Sequence, residues 1–447
     1  MSNSSVDTAG TRARNAPDLR SIFGGSVGNL VEWYDWLAYS TFSLYFAHVF
    51  FPEGNQTVQL MSTAAIFAVG YIMRPLGAVL FGWYADRKGR RAALTLSVLM
   101  MCGGSLLVAV TPGYESIGIA APALLLLARM FQGLSVGGEY GTSAAYLMEV
   151  APRNRRGFFV SFHYMTLLGG QLIAILVLLL LQYVLLTPEQ LHAWGWRIPF
   201  LIGAAFAVVA MLLRRGIAES PDFEKNVAHR PRMANPLRLL LSHPKQIALV
   251  AGLTLGGTIA VNTFSVYMPK FLVNTAGFTK EQSTVMSLIM IISFMAMQPL
   301  FGSLSDRIGR KPLLVAFGIC GTLFTVPLMN AIAASTSVAE AMVFVLLALL
   351  MTSGYSAVNA LVKAELFPVE VRAAGIGIPY AMMVALFGGT TEYVGLQFKN
   401  AGWEQGYYYY VSACIFASLL VYLFMRETSG RKPAQAHGVQ AVVAKEA

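Results

Sequence analysis

The stretch Gly82-Trp-Tyr-Ala-Asp86-Arg87-Lys88-Gly89-Arg90-Arg91 returns as Gly302-Ser-Leu-Ser-Asp306-Arg307-Ile308-Gly309-Arg310-Lys311, with the two aspartates 220 positions apart. Each copy closes a long apolar run. Self-similarity of this kind restricts the chain to two copies of one unit. A second pair agrees, because Glu149, Pro152, Arg156 and Glu365, Pro368, Arg372 share the spacing Glu-x-x-Pro-x-x-x-Arg at an offset of 216.

The repeated unit belongs in a bilayer. Of 447 residues 56% are hydrophobic and 12% charged, against roughly 25% charged in a soluble domain. A hydrocarbon core of ~30 Å takes about 20 apolar residues per helix. The chain offers about twelve such windows, near 22–48, 59–84, 91–111, 119–148, 157–184 and 196–215, then 245–273, 283–305, 312–334, 338–366, 372–398 and 405–426. A membrane barrel would show alternating segments of ~10 residues, whereas these runs are apolar throughout, so helices are expected. Residues 1–20 are polar and basic, without the pattern of a cleaved signal, and the first helix is expected to stay.

The formal charge of +10 raises the question of nucleic acid, and the placement of the cations answers it. Arg87 to Arg91, Arg153 to Arg156, the segment from Arg214 to Lys245, Arg307 to Lys311, Arg372 and Arg426 to Lys432 fall in alternate loops. By the positive-inside rule these loops and both termini are cytoplasmic. The basic balance thus reports topology, and no nucleic-acid partner is expected. Cys102, Cys320 and Cys414 sit singly in apolar runs, and the six histidines show no metal-ligand spacing. No phosphate loop or nucleophile elbow appears, so no enzyme, cofactor or metal is expected.

Six helices on either side of a Pro-rich polar interruption give two halves of the same orientation. The expected division is a disordered cytoplasmic N-terminus at 1–19, a six-helix half at 20–217, a cytoplasmic linker at 218–244, a second six-helix half at 245–428 and a cytoplasmic tail at 429–447. Low apolar content underlies the disorder expected of the tails.

The two Gly-x-x-x-Asp-Arg-x-Gly-Arg-Arg/Lys loops resemble the signature loops of the major facilitator superfamily. Four further segments resemble its metabolite:proton symporter family: Gly28-Asn-Leu-Val-Glu32-Trp-Tyr-Asp35-Trp, Tyr71-Ile-Met-Arg74-Pro75-Leu-Gly77, the run from Arg129 through Gln132 and Gly138-Glu139 to Thr142, and Trp194-Gly-Trp-Arg197-Ile-Pro-Phe. Phe131 to Glu149, Asn274-Thr-Ala-Gly277 and Lys363-Ala-Glu-Leu-Phe-Pro368 are similar to its dicarboxylate-carrying members. Lys88 and Val261-Asn262 depart from them. The resemblance implies an all-α membrane protein of twelve transmembrane helices in two six-helix halves, located in a bacterial inner membrane. It also implies proton-coupled import of a small carboxylate, alpha-ketoglutarate or a related dicarboxylate. Citrate, shikimate or a zwitterionic osmolyte are the alternatives within the family, and drug/proton antiport is a further one. The expected partners are the carboxylate, protons and lipid, with no obligate protein partner evident.

An ionisable side chain at mid-membrane costs ~2.5 to 3.5 kcal/mol on insertion scales, so each one marks a candidate site. Gly25, Gly28, Asn29, Glu32, Asp35, Tyr39 and Ser43 form one polar stripe of the first helix. The stripe is either a structural ion-pair surface or the place where Asp35, Glu32 or both couple protons. Arg129 lies at a similar depth to Asp35. If the two pair, a substrate carboxylate that takes Arg129 leaves Asp35 without its cation, and Asp35 takes up a proton. Arg74 can hold a carboxylate bidentately. Arg74, Arg129, Tyr39, Gln171 and Lys363 are the substrate-binding candidates. For Lys363, as for Lys270, snorkelling toward the interface is the simpler reading. Arg197 beside Trp194 and Trp196 reads as an outer-interface anchor, and Gly388-Gly389 with Glu392 as an outer hinge or gate. Gly133, Gly137, Gly138 and Gly141 allow close helix approach. Gly82, Asp86, Arg87, Arg90, Asp306, Arg307 and Arg310 are the candidate cytoplasmic gate, in which each aspartate binds the arginine of its own loop or a neighbouring helix N-terminus.

Overall fold

In lipid a main-chain N–H or C=O must find its partner inside the protein, and a helix supplies that partner within its own segment. The computed structural model describes residues 19–88, 90–136, 144, 147–148, 151–214, 243–367 and 372–429, and among them there is no strand. Apart from Leu19, His243, Pro244 and Ser429, the tails and the linker expected between the halves lie outside the described residues.

The first group of helices is α1 (Leu19–Phe50), α2 (Gln56–Lys88), α3 (Arg90–Val110), α4 (Ala120–Val136), α5 (Arg156–Leu185) and α6 (Ile198–Arg214). The second is α7 (Pro244–Asn274), α8 (Lys280–Ile308), α9 (Arg310–Ala334), α10 (Val338–Leu366), α11 (Arg372–Met383), α12 (Thr391–Asn400) and α13 (Glu404–Phe424). Among the described residues seven helices are long and apolar enough to cross a membrane: α5, α7, α8, α9, α10, α13 and the Gln56–Phe81 part of α2. Shorter apolar stretches at Thr95–Val110, Ala120–Val136 and Gly195–Val209 lie in α3, α4 and around the start of α6.

Three columns are broken near their middles. A π-helical turn at Asn262–Tyr267 interrupts α7, and there Asn262 Nδ2 donates to the Thr258 carbonyl at 2.8 Å. Such turns free main-chain groups that side chains then satisfy. α10 is interrupted at Ala357 and Val358, and Val384–Gly388 forms another π-helical turn after α11. The apolar run 372–398 therefore folds as two short helices where one was expected.

α5 lies along α8 and joins the two groups, while α2 meets α11 and α12. The α5–α8 approach is so close that a Cβ on Gly302 would fall 2.5 Å from the Gly157 carbonyl oxygen. Gly302 of the repeated loop is thus a contact point between groups, where any side chain would force the helices apart. Within the first group, Gly133 meets the main chain of Gly70 in α2; Gly137, Gly138 and Gly141 lie outside the described residues. Leu300 and Phe424, 68% and 86% exposed, mark the lipid-facing surface.

Candidate functional site

Two guanidinium groups share one indole. The Arg74 Cζ lies 4.0 Å from the ring centroid of Trp36, and that of Arg129 lies 4.2 Å from it. Trp33 and Tyr71 complete the cage of Arg74, and Tyr39 and Phe67 that of Arg129. Cation–π contacts offset part of the cost of burying these charges. They leave N–H groups unsatisfied: Nε and NH2 of both arginines find no acceptor among the described residues. Arg129 is wholly buried and Arg74 nearly so. The pair is a buried double cation with donors to spare.

Asp35 and Arg129 are linked through a third residue. Arg129 NH1 donates to Gln132 Oε1 at 2.8 Å, and Gln132 Nε2 donates to Asp35 Oδ2 at 2.7 Å. Ser105 of α3 donates to Asp35 Oδ1 and receives a 3.0 Å bond from Gln132 Nε2. The direct Asp35–Arg129 pair expected from depth alone is replaced by this relay. Gln132 stands one helical turn past Arg129 and reaches the carboxylate first. Gly203 of α6 leaves the room that the Asp35 carboxylate occupies. Glu32 is buried one turn earlier on α1, close enough to Arg74 to act on it electrostatically.

A central chamber between the groups is lined by Trp33, Tyr71, Tyr164, Gln171, Asn359 and Tyr380, among others. Lys363 is fully buried beside it, donating to Asn359 Oδ1 at 3.1 Å, with its Nζ 4.2 Å from the Tyr380 ring centroid. Snorkelling is therefore excluded for Lys363. Arg74 stands behind the Trp33 and Tyr71 wall, and Arg129 one ring deeper. Tyr39 commits its hydroxyl to the Thr63 carbonyl at 3.0 Å, so its ring serves Arg129 while its oxygen is engaged. Gln171 Nε2 donates to the Ser265 carbonyl at 3.1 Å across the groups, while its Oε1 has no partner.

Gln171 also lines a second cavity, farther from the repeated loops, with Ser40, Tyr45, Lys270, Ser283 and Thr284. Lys270, again buried, donates 2.8 Å to Ser40 and forms a 2.5 Å ion pair with Glu392 of α12. Beyond this cavity Lys280 donates to the Leu44 carbonyl at 3.0 Å and meets His192 Nε2 at 3.1 Å. Asn274 bonds Thr57 at 3.2 Å. Arg197 lies over Trp196 and donates to the Thr111 carbonyl at 2.9 Å, tying α6 to the end of α3.

At the other face, Asp306 accepts from the main-chain N–H of Gly157 at 2.8 Å and of Phe158 at 3.0 Å, and lies 3.1 Å from Arg310. A carboxylate at the positive end of α5 is favoured by the helix dipole. Arg310 reaches Glu365 at 3.7 Å, and Arg156 is near enough to Glu365 to act on it electrostatically. The two repeated motifs thus meet in one cluster. Arg307 is exposed and makes no ion pair among the described residues. Gly82, Asp86, Arg87 and Arg90 occupy the end of α2 and the start of α3, and their side chains lie outside what is described. Links between the groups thus stand at both faces of the chamber.

The family model of the Major Facilitator Superfamily matches residues 35–389 and 294–445. The chain belongs to that superfamily. Alpha-ketoglutarate permease of Escherichia coli (strain K12) is 47% identical over 423 residues, covering 95% of this chain and 96% of the permease. The citrate-proton symporter of Klebsiella pneumoniae is 32% identical, covering 91% and 92%. In fold, the xylose transporter XylE from E. coli in a partially occluded inward-open conformation superposes with a TM-score of 0.73 at 20% identity, covering 92% of this chain and 98% of that one. This superfamily member is a multi-pass protein of the bacterial inner membrane.

Several residues of the carrier's site carried little signal in sequence. Ser105 looks like any small polar residue of a membrane helix, and Gly203 like any packing glycine. Gln132 was discernible as an amide in an apolar run one turn from Arg129. Trp36 closes the Gly28–Trp36 segment that carries the family resemblance, but only the fold places it between two arginines.

Proposed function

We propose that the carrier imports a small dicarboxylate, alpha-ketoglutarate first among them, together with protons, by alternating access. The observation that carries the reading is the pair of buried guanidiniums on Trp36 whose Nε and NH2 groups find no acceptor among the described residues. Buried donors left unmade cost about 1–3 kcal/mol each, and a carboxylate would satisfy them bidentately. The 47% identity to alpha-ketoglutarate permease supports the same substrate class.

In this reading Lys363 and Asn359 meet the dianion in the chamber, and the Trp33 and Tyr71 wall yields to let a carboxylate reach Arg74 and then Arg129. Engagement of Arg129 withdraws it from Gln132, the relay to Asp35 breaks, and Asp35 takes up a proton. Glu32 is the neighbouring acid on the same face. Asp306, on the α5 N-terminus, latches the loop face while the opposite face opens.

The topology that accompanies this reading has twelve transmembrane helices, with α1, the shorter apolar helices α3, α4 and α6, and the α11–α12 column completing the seven long spans. The halves are 20–217 and 245–428, the linker is 218–244, and both termini are cytoplasmic with the tails 1–19 and 429–447. A dianion entering with one proton still opposes an inside-negative potential, at about 2.3 kcal/mol per charge per 100 mV. Uphill import accordingly needs at least two protons per dianion.

The test is uptake of labelled alpha-ketoglutarate into proteoliposomes with and without a proton gradient, competed by citrate, shikimate and betaine. Gradient-dependent accumulation competed best by dicarboxylates is expected. Accumulation of citrate in preference, as the similarity to the citrate-proton symporter would favour, reassigns the substrate. Proton movement opposite to substrate replaces symport by antiport.

A further inference from the structure

The Lys270–Glu392 pair is unlike the other buried charges of the second group. It stands at the wall of the cavity that lies beyond Gln171, away from the repeated loops, and it spans three helices. Lys270 of α7 bonds Glu392 of α12 and, across the groups, Ser40 of α1. The cavity beside it carries the hydroxyls of Ser40, Tyr45, Ser283, Thr284 and Ser287. The other titratable groups that face Glu392 are Tyr39 of α1, Tyr267 of α7 and Tyr407 of α13, among the described residues. None of these is a cation, so Lys270 alone compensates this acid. A structural pair would need neither an adjoining hydroxyl-lined cavity nor a hydrogen bond to the opposite group of helices.

We propose that this cavity is a second carboxylate site, in which Lys270 transfers from Glu392 to a substrate carboxylate and Glu392 takes up a proton in exchange. The inference rests on the reading of the protein as a proton-coupled dicarboxylate importer and supplies the second proton which that reading requires. The steps balance. The substrate carboxylate accepts hydrogen bonds from the Lys270 ammonium, which keeps its own proton. Glu392, buried and without its cation, binds one proton from the solution on that side, because an isolated buried carboxylate is far costlier than its acid. Gln171 borders both cavities, and its free Oε1 accepts a proton donor on the way between them. Glu392 keeps that proton while substrate is held between Lys270 and the chamber, and when substrate leaves on the side of the repeated loops Lys270 returns to Glu392, whose proton leaves on that same side.

The experiment counts protons taken up when alpha-ketoglutarate binds the full chain in weakly buffered detergent solution. The parent protein should take up about two protons per ligand, following the charge balance above, and E392Q about one. Because E392Q leaves Lys270 buried without its anion, the double variant K270M/E392Q is measured beside it; replacing both partners avoids that cost. It should also take up about one proton, with affinity lowered about tenfold. The parent's proton count in either variant overturns the proposal. So does loss of all binding by a double variant that still elutes as a folded species. Failure of the parent to bind alpha-ketoglutarate overturns the substrate reading instead, and is distinguished by that control.

Discussion

Asp35 in α1 accepts a 2.7 Å hydrogen bond from the Gln132 amide of α4, and only through that amide does it meet Arg129. A relay has one property that a direct ion pair lacks. Moving the arginine by the width of one hydrogen bond reorients the amide, and the carboxylate loses a donor without any displacement of its own helix.

Asp35→Asn should abolish accumulation against a gradient, bringing the internal to external ratio to about one, while exchange of internal for external substrate persists. Gln132→Leu removes both bonds of the relay. With hydrogen bonds to charged groups worth about 1.5–3 kcal/mol, proton-driven uptake should fall at least about tenfold. Paired uptake and exchange assays check both variants, and normal uphill uptake in Asp35→Asn would sink the coupling role.

Replacing Arg74 or Arg129 by Lys keeps the charge and loses the planar fork that binds a carboxylate through two parallel bonds. Each substitution should raise KM for the dicarboxylate about tenfold or more, which is about 1.4 kcal/mol per decade. Lys363→Met should act in the same direction. Uptake kinetics on correctly inserted protein measure these changes. An unchanged KM in all three would remove the chamber from the substrate path.

Asp306 holds the N-terminus of α5 through Gly157 and Phe158 while it pairs with Arg310. Neutralising Asp86 and Asp306 together should slow transport at least about tenfold and increase the reaction rate of a cysteine placed at Ser161, beside Gly302. Gly302→Leu should do the same by steric force. Transport at the parent rate in the double neutral variant would show that the loops are solvated and carry no latch.

His192 offers a pH test at the opposite face. Burial, then the Lys280 ammonium and His48, lower its pKa from 6.5 to about 4. The closed face thus holds fewer protons than an open one in which His192 titrates normally, and its stability rises with pH. Closure is fully favoured above about pH 6.5 and weakens as pH falls toward 4. Labelling of a cysteine at Ser283, expressed relative to a fully exposed cysteine so that loss of thiolate cancels, should therefore rise as pH falls through that window. His192→Gln should flatten the profile, and a profile unchanged by the substitution would assign the pH effect to another group.

The apolar runs, the duplication and the alternation of basic loops were legible because the bilayer imposes them locally. About twenty residues must be apolar in each span, and their main-chain groups must pair within the segment. The Asp35, Arg74 and Arg129 side chains stood out for the same reason, since each is costly where it lies. Lys270 and Lys363 were harder to read, because distance from a helix end cannot tell a side chain that snorkels from one turned inward toward Glu392 or Asn359.

By itself the sequence determined the helices, their repeat and the family, all of which depend on the order of residues within segments and on their solvent. Partnership was decided only by the tertiary structure. That Gln132 intervenes between Asp35 and Arg129, that Trp36 is shared by two arginines, and that Asp306 binds the end of α5 as well as Arg310 all depend on how helices distant in sequence are rotated against one another. A side chain's depth can be counted along its own helix. Which neighbour it faces is fixed by packing, where close approaches such as Gly157 to Gly302 set the rotation.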